Sequence, residues 1–259
     1  MDADMDFAEL LDGDDTRPDG GECRHCGGRT EPWRQAGQWF GPAEICQTCD
    51  DLSDDHAEAL HRQQRYESAL SRCVPSRRHR RLASRLSLDD RLRAVLRRDH
   101  MPESGVYLHG PTGTGKTSQA VALVVETLRL WYLYDERPVS LESGAAPAEY
   151  LVEPEYFAAL QRTFDGDGAT ADVVDRYAEC GLLVLDDLAT AQGTEWAYTE
   201  LYRLIDRRYQ SERATLFVGN STLHELRGHP AYDSRITSRI YEMAGHGEYV
   251  YRYDDCYRL

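Results

Sequence analysis

In the second half of the chain, short apolar runs alternate with longer amphipathic stretches. The runs Val106–His109, Leu182–Leu185 and Thr215–Val218 are each followed at once by Gly or Asp. Such runs predict strands buried on both faces of a parallel sheet. Tyr249–Tyr253 predicts another strand, and Tyr150–Val152 competes with Val139–Leu141 for a fifth. Helical patterning covers Lys116–Leu133, Pro154–Phe164, Thr194–Gln210 and Ser234–Met243. Strands alternating with helices predict an α/β fold, a parallel five-stranded sheet with crossover helices.

Upstream the pattern changes. Residues 51–99 are polar and helix-forming, with a break at Pro75, and residues 23–50 carry two cysteine pairs among Gly, Pro and Trp. Residues 1–22 hold nine acids against Arg17, which predicts a self-repelling, disordered tail. The whole chain of 259 residues has a net charge of −15, and spread evenly this would disfavour nucleic acid. It is not spread evenly: residues 72–98 hold ten arginines against Asp89 and Asp90. That belt reads either as a solvated helical face or as a phosphate-binding surface. With no apolar run of membrane length and an acidic N-terminus, neither a membrane span nor a secretory signal is expected, and the expected location is the cytoplasm.

Of the 30 lysines and arginines, one is a lysine, Lys116. It lies in Gly110-Pro111-Thr112-Gly113-Thr114-Gly115-Lys116-Thr117-Ser118, which matches G-x-x-x-x-G-K-[ST] between a predicted strand and a predicted helix. Glycines let successive N–H groups curl around one anion, and the helix N-terminus adds its dipole. Lys116 is expected to reach the β- and γ-phosphates, and the Thr117 hydroxyl to hold Mg²⁺. A compact ammonium suits the crowded loop where a planar guanidinium does not. The next apolar run ends in Asp186 and Asp187. Acids at the carboxyl end of a buried parallel strand point into the ligand crevice. Asp186 is the expected magnesium-side acid, and Asp187 is expected to orient or deprotonate the attacking water. Asn220, after the third run, reads as a polar residue beside the γ-phosphate or as a plain turn residue. Arg235 and Arg239 share one helix face.

Cys23, Cys26, Cys46 and Cys49 form two C-x-x-C knuckles separated by 19 residues, a zinc spacing. A reducing compartment favours structural Zn²⁺ over disulfides. His25 and His56 are possible substitutes, and Cys73, Cys180 and Cys256 read as ordinary thiols. The expected organisation is therefore an acidic tail at 1–22, a zinc module at 23–50, an arginine-rich helical region at 51–99 and a nucleotide-binding domain at 100–259.

The segments GVYLHGPTGTGKT, EPEYFAALQRTFD, GLLVLDDLA, ELYRLIDRRY, ATLFVGNSTLHEL, SRITSRI and DDCYRL follow one another from Gly105 to Leu259. Their order resembles the DnaC/IstB-type helicase-loader branch of the AAA+ ATPases. The resemblance implies an AAA+ P-loop core without the C-terminal helical lid of larger relatives, binding ATP or ADP with Mg²⁺. It implies sensor-1 at Asn220, an arginine finger at Arg239 with Arg235 one turn earlier, and a nucleotide contact at Arg258. The Asp186–Asp187 pair agrees with this branch, and its shorter second acid implies slow hydrolysis. The implied partners are a DnaB-type replicative helicase, single-stranded DNA and further copies of the chain. The helicase would be gripped by the N-terminal part. There Trp33, Trp39, Phe40 and Ile45 serve either that contact or packing on the zinc site. Tyr156, Phe157 and Arg162 are candidates for DNA stacking or, for the aromatics, core packing. A transposition helper on duplex DNA and a non-hydrolysing adaptor remain alternatives.

Overall fold

The computed structural model describes residues 17–254 apart from 25, 36–37, 75, 84, 96–104, 135–143, 165 and 167, and apart from the side chains of 53, 82, 94 and 95. The acidic residues 1–16, the competing strand Val139–Leu141, His25, Cys256 and Arg258 lie outside the described residues. The chain divides into two compact units, Met1–Arg62 and Gln63–Leu259.

The first unit opens with two small antiparallel hairpins: β1 (Gly21–Glu22) with β2 (Arg29–Thr30), and β3 (Pro32–Gln35) with β4 (Gln38–Pro42). Helix α1 (Gln47–Cys73) then carries the division between the units. Its first half is largely exposed, whereas Ala69, Cys73 and Val74 are buried in the second unit. The Cys73 thiol donates to the Ala148 carbonyl at 3.0 Å, and burial pushes its pKa up to about 12. Short helices α2 (Arg77–Ala83) and α3 (Asp90–Val95) follow. Part of the arginine belt is spent locally. Arg91 pairs with Asp89 and lies over the rings of Tyr251 and Tyr253, at 5.0 and 4.9 Å. The Tyr253 hydroxyl donates to Asp89 as well, and these bonds hold the Asp89 carboxyl down at about 2.

The second unit contains β5 (Gly105–His109), α4 (Lys116–Leu133), β6 (Ala148–Val152), α5 (Glu153–Phe164), α6 (Thr170–Glu179), β7 (Leu182–Leu188), α7 (Glu195–Gln210), β8 (Thr215–Gly219), α8 (Leu223–Arg227), α9 (Ser234–Met243) and β9 (Val250–Arg252). The strands form one parallel five-stranded sheet in the order β6-β7-β8-β5-β9. Period-two alternation splits its side chains between two cores. Val106, Leu108, Leu182, Val184, Leu216 and Val218 meet α4 and the end of α1. Tyr107, Leu183, Leu185 and Phe217 meet α5, α6, α7 and α9. Helices α4 and α9 run as the periodicity predicts. Two short helices, α6 and α8, were not expected. The first follows Gly166 and Gly168 and has an apolar face of only Val174, Tyr177 and Ala178. The second is a single capped turn: Thr222 and Glu225 form a capping box.

Arg208, in the last turn of α7, is wholly buried. Its Nε donates to Thr215 Oγ1 at 2.9 Å, and Nη1 donates to the carbonyls of Tyr177 and Cys180 at 2.8 and 2.9 Å. Nη2 donates to the carbonyls of Ala214 and Gly181, at 2.6 and 3.2 Å. One guanidinium thus joins the end of α6 to the starts of β7 and β8. Replacing it with an apolar side chain strands these carbonyls. Arg208→Met is expected to lower stability by about 3–5 kcal/mol, read from urea unfolding. A loss below about 1 kcal/mol would show the staple to be dispensable.

Candidate functional site

Parallel register sets the site. Leu108 pairs with Val218, Leu188 with Gly219 and Val152 with Asp186, so the carboxyl ends of β5, β6, β7 and β8 share one edge of the sheet. The turn leaving β5 is shaped by Gly110 at φ 140°, where a Cβ would lie 2.1 Å from the Tyr253 carbonyl oxygen. Only glycine fits that approach. Gly115 caps α4 in the left-handed region at φ 89°. Thr114 is buried, and its hydroxyl donates to the Pro111 carbonyl at 3.0 Å.

Lys116 is 6% exposed. Its Nζ donates to the carbonyls of Gly110 and Pro111, at 2.8 and 2.9 Å. Burial pulls its pKa down, against the opposing pull of Asp186 and Asp187. Asp186 is 1% exposed and accepts from the Tyr150 hydroxyl at 2.7 Å and from the Asp187 amide at 2.7 Å. Burial raises its pKa; the Tyr150, Asp187 and Thr117 hydrogen bonds lower it again. Thr117, 69 positions earlier in the chain, is thus among the groups that act on the Asp186 carboxylate.

Between Leu185 and Leu188, β7 places Asp186 and Asp187 opposite the single residue Val218 of β8, a bulge. The bulge breaks the alternation that would send the two acids to opposite faces. Asp187 adopts φ 57°, a conformation that Asp tolerates better than most residues, and is exposed. Asn220 directly follows β8 and is exposed at the same edge. Pro111, Thr112 and Gly113 form the exposed crest of the loop, with Ser118 half-buried in the first turn of α4. Amide groups, an ammonium, a hydroxyl and two carboxylates on one edge make the set that a triphosphate with a divalent cation requires.

Arg235 and Arg239 lie apart from this cluster, on a face shared by α9 and α7. Arg239 donates to Asp206 at 2.8 Å and to Glu242 at 3.1 Å and stacks on Tyr209 at 4.2 Å. Arg235 pairs with Asp233 and lies over Tyr202 at 4.8 Å.

Three further residues attach to the site. Tyr150 holds Asp186. Glu153, 0% exposed, accepts from the amides of Thr190 and Ala191 at 3.3 and 3.4 Å and from the Tyr232 hydroxyl. In the sequence Glu153 is one more acid at the start of a helix, where acids are common. The only signal for Tyr232 is its place immediately before Asp233, the N-cap of α9. Tyr156 and Phe157 are buried against Tyr177 and Tyr198, so their part is core packing.

In the first unit, the sulfurs of Cys23, Cys26, Cys46 and Cys49 all lie within 4.8 Å of one another. The Cys26–Cys46 separation is 3.7 Å, against about 3.8 Å between ligands of a tetrahedron with 2.3 Å Zn–S bonds. The donor set and spacing fit Zn²⁺. The Gly28 amide donates to Cys26 Sγ at 3.3 Å, which favours a thiolate there. Hydrogen bonding of the Cys49 thiol to Cys46 and Cys26 pushes its pKa up to about 12. Trp33 and Phe40 stack across β3–β4 with centroids 4.3 Å apart and are exposed, whereas the guanidinium groups of Arg17 and Arg34 both lie over the Trp39 ring.

The sheet order, the glycine-bearing loop between β5 and α4 and the acid-tipped β7 give the second unit an α/β fold of the AAA+ type. No model of a known protein family matches the chain, and no curated protein matches it significantly in sequence. Among solved structures, a DNA replication initiation factor matches with a TM-score of 0.50 and 15% identity, over 66% of this chain and 48% of that one. DnaA from Aquifex aeolicus, bound to AMPPCP, matches with a TM-score of 0.49 and 16% identity, over 62% and 44%. DnaI matches with a TM-score of 0.46 and 20% identity, over 66% and 86%. The chain spans less than half the length of the first two. Among the described residues, no helix is long and apolar enough to cross a membrane.

The purified chain is expected to carry about one zinc ion, by elemental analysis, and Cys46→Ser to lose it together with the dispersed amide resonances of residues 21–49. A folded first unit without metal would contradict this.

Proposed function

We propose that the chain is an ATP-dependent helicase loader. It binds ATP, grips a ring-shaped replicative helicase through residues 1–99 and assists its placement on single-stranded DNA. The observation that carries the nucleotide part is the burial of the Lys116 ammonium, held by the loop carbonyls of Gly110 and Pro111, at the same sheet edge as the buried Asp186 carboxylate. The loop amides and Lys116 bind the phosphate tail. Thr117, and Asp186 through water, would hold Mg²⁺, which would supply positive charge to the phosphates. Asp187 orients the attacking water, and Asn220 fixes its position. The loader assignment is supported by the order of motifs from Gly105 to Leu259 on a fold shared with a replication initiation factor. Arg258 completes the nucleotide contacts.

Arg239 and Arg235 act on the nucleotide of a neighbouring copy. Arg239 is already oriented by Tyr209 and Asp206, so little side-chain freedom is lost on docking. Lys116→Ala is expected to abolish ATP binding in a fluorescent-nucleotide titration. Arg239→Ala is expected to keep that binding and to lose roughly a thousandfold in stimulated turnover. Undiminished affinity in the first variant would remove the phosphate-loop reading, and normal turnover in the second would remove the finger. Capture of a hexameric helicase supports the loader, whereas filaments on duplex DNA support a transposition helper.

A pH dependence follows from Asp186. Burial raises its folded pKa above the unfolded value, so the cost of its buried charge is present above the folded pKa and is relieved as pH falls through it. Protonation also removes the carboxylate that magnesium requires. Mg–ATP affinity should therefore weaken toward acid pH. Asp186→Asn should raise the thermal midpoint of the nucleotide-free chain while abolishing magnesium-dependent binding. A lowered midpoint in that variant would show the charge to be stabilising.

A further inference from the structure

The turn after β7 is held from outside by one carboxylate. Glu153 begins α5 directly after Val152, the register partner of Asp186, which sets it at the level of Asp187. It is 0% exposed, and its Oε2 accepts from the amides of Thr190 and Ala191 at 3.3 and 3.4 Å. Its Oε1 accepts from the hydroxyl of Tyr232, itself 1% exposed. That hydroxyl in turn accepts from the Ala189 amide at 3.3 Å. Tyr232 is the residue before Asp233, the N-cap of α9, the helix that carries Arg235 and Arg239. One buried group therefore holds two segments: the turn that follows Asp187, with Asp187 and Ala189 both at positive φ (57° and 60°), and the start of the arginine helix.

A buried carboxylate is an expensive way to fill space, since an apolar side chain packs there without desolvating a charge. What it supplies instead is direction, because several donors converge on it from different elements. Positive φ at Ala189 lacks the side-chain help available to Asn or Asp and persists only if its surroundings enforce it.

We infer that Glu153, through Tyr232, is a positioning residue for hydrolysis, fixing the Asp187 turn and the arginine-bearing helix in one relation. The inference rests on the hydrolytic reading proposed above. It makes Glu153 the link between a subunit's own nucleotide and the arginine face it offers to a neighbour.

The test compares full-length wild type, Glu153→Gln, Tyr232→Phe, the double variant and Tyr156→Phe. The last removes another buried hydroxyl anchored in α5, which donates to the Glu200 carbonyl at 3.2 Å. ATP turnover, nucleotide affinity and thermal midpoint are measured for each. In the first two variants kcat is expected to fall on the order of tenfold to a hundredfold with nucleotide affinity unchanged. The double variant should lose no more than the worse single one, since the two residues act as a unit. Tyr156→Phe should turn over normally. Wild-type kcat in both Glu153→Gln and Tyr232→Phe overturns the inference and leaves the hydrolytic reading standing. Losses that follow the thermal midpoint across all variants, Tyr156→Phe included, do the same. A wild-type chain that binds ATP but never hydrolyses it overturns that reading and this inference with it.

Discussion

The ammonium of Lys116 and the carboxylate of Asp186 are both taken out of water at one edge of a parallel sheet, and most of the surrounding structure exists to make that tolerable. Each charge would be costly alone. Each is instead surrounded by fixed dipoles: loop carbonyls around Lys116, and the Tyr150, Thr117 and Asp187 donors around Asp186. Their pKa values are drawn toward each other by burial, the lysine downward and the aspartate upward. On the reading proposed above, a compound that carries both an anionic chain and a cation would supply to each charge the partner that water no longer provides.

The sheet delivers these groups through register. A one-residue slip of β7 against β8 would turn Leu183 and Leu185 away from their core and Asp186 away from Thr117. At Asp186–Asp187 the β7–β8 ladder departs from strict alternation, so neighbouring acids there need not follow the period-two rule of the strand. Stability and site geometry are separated in the fold. Arg208 staples the amino ends of β7 and β8, remote along the strands from the carboxyl ends where the acids lie.

Much of this was legible in the sequence. Apolar runs located the strands because a buried parallel strand must be apolar on both faces, and Lys116–Leu133 was readable to the residue because glycines bound it at the start. The phosphate loop and the cysteine spacing are local patterns whose chemistry requires fixed intervals. Helices α6 and α8 were missed. Their apolar faces span one or two turns, although the Thr222–Glu225 capping box was a signal present in the sequence. Tyr150, Glu153 and Tyr232 were not legible because their roles depend on which strand ends become neighbours. The same limit applies to Arg239. Its sequence place suggests a finger, but only the packing of α7 against α9 reveals the Asp206 and Tyr209 that hold it.

The solitary lysine has a consequence beyond its part in the loop. Apart from an α-amino terminus, the chain offers amine-directed reagents one side chain, and that group is buried with its proton loosened by its surroundings. Acylation here would be a single-site event at the centre of the crevice. The arginine-rich exterior would be left unmodified, so a reagent that labels many proteins indiscriminately would act on this one as a selective reporter of whether the crevice is open or filled.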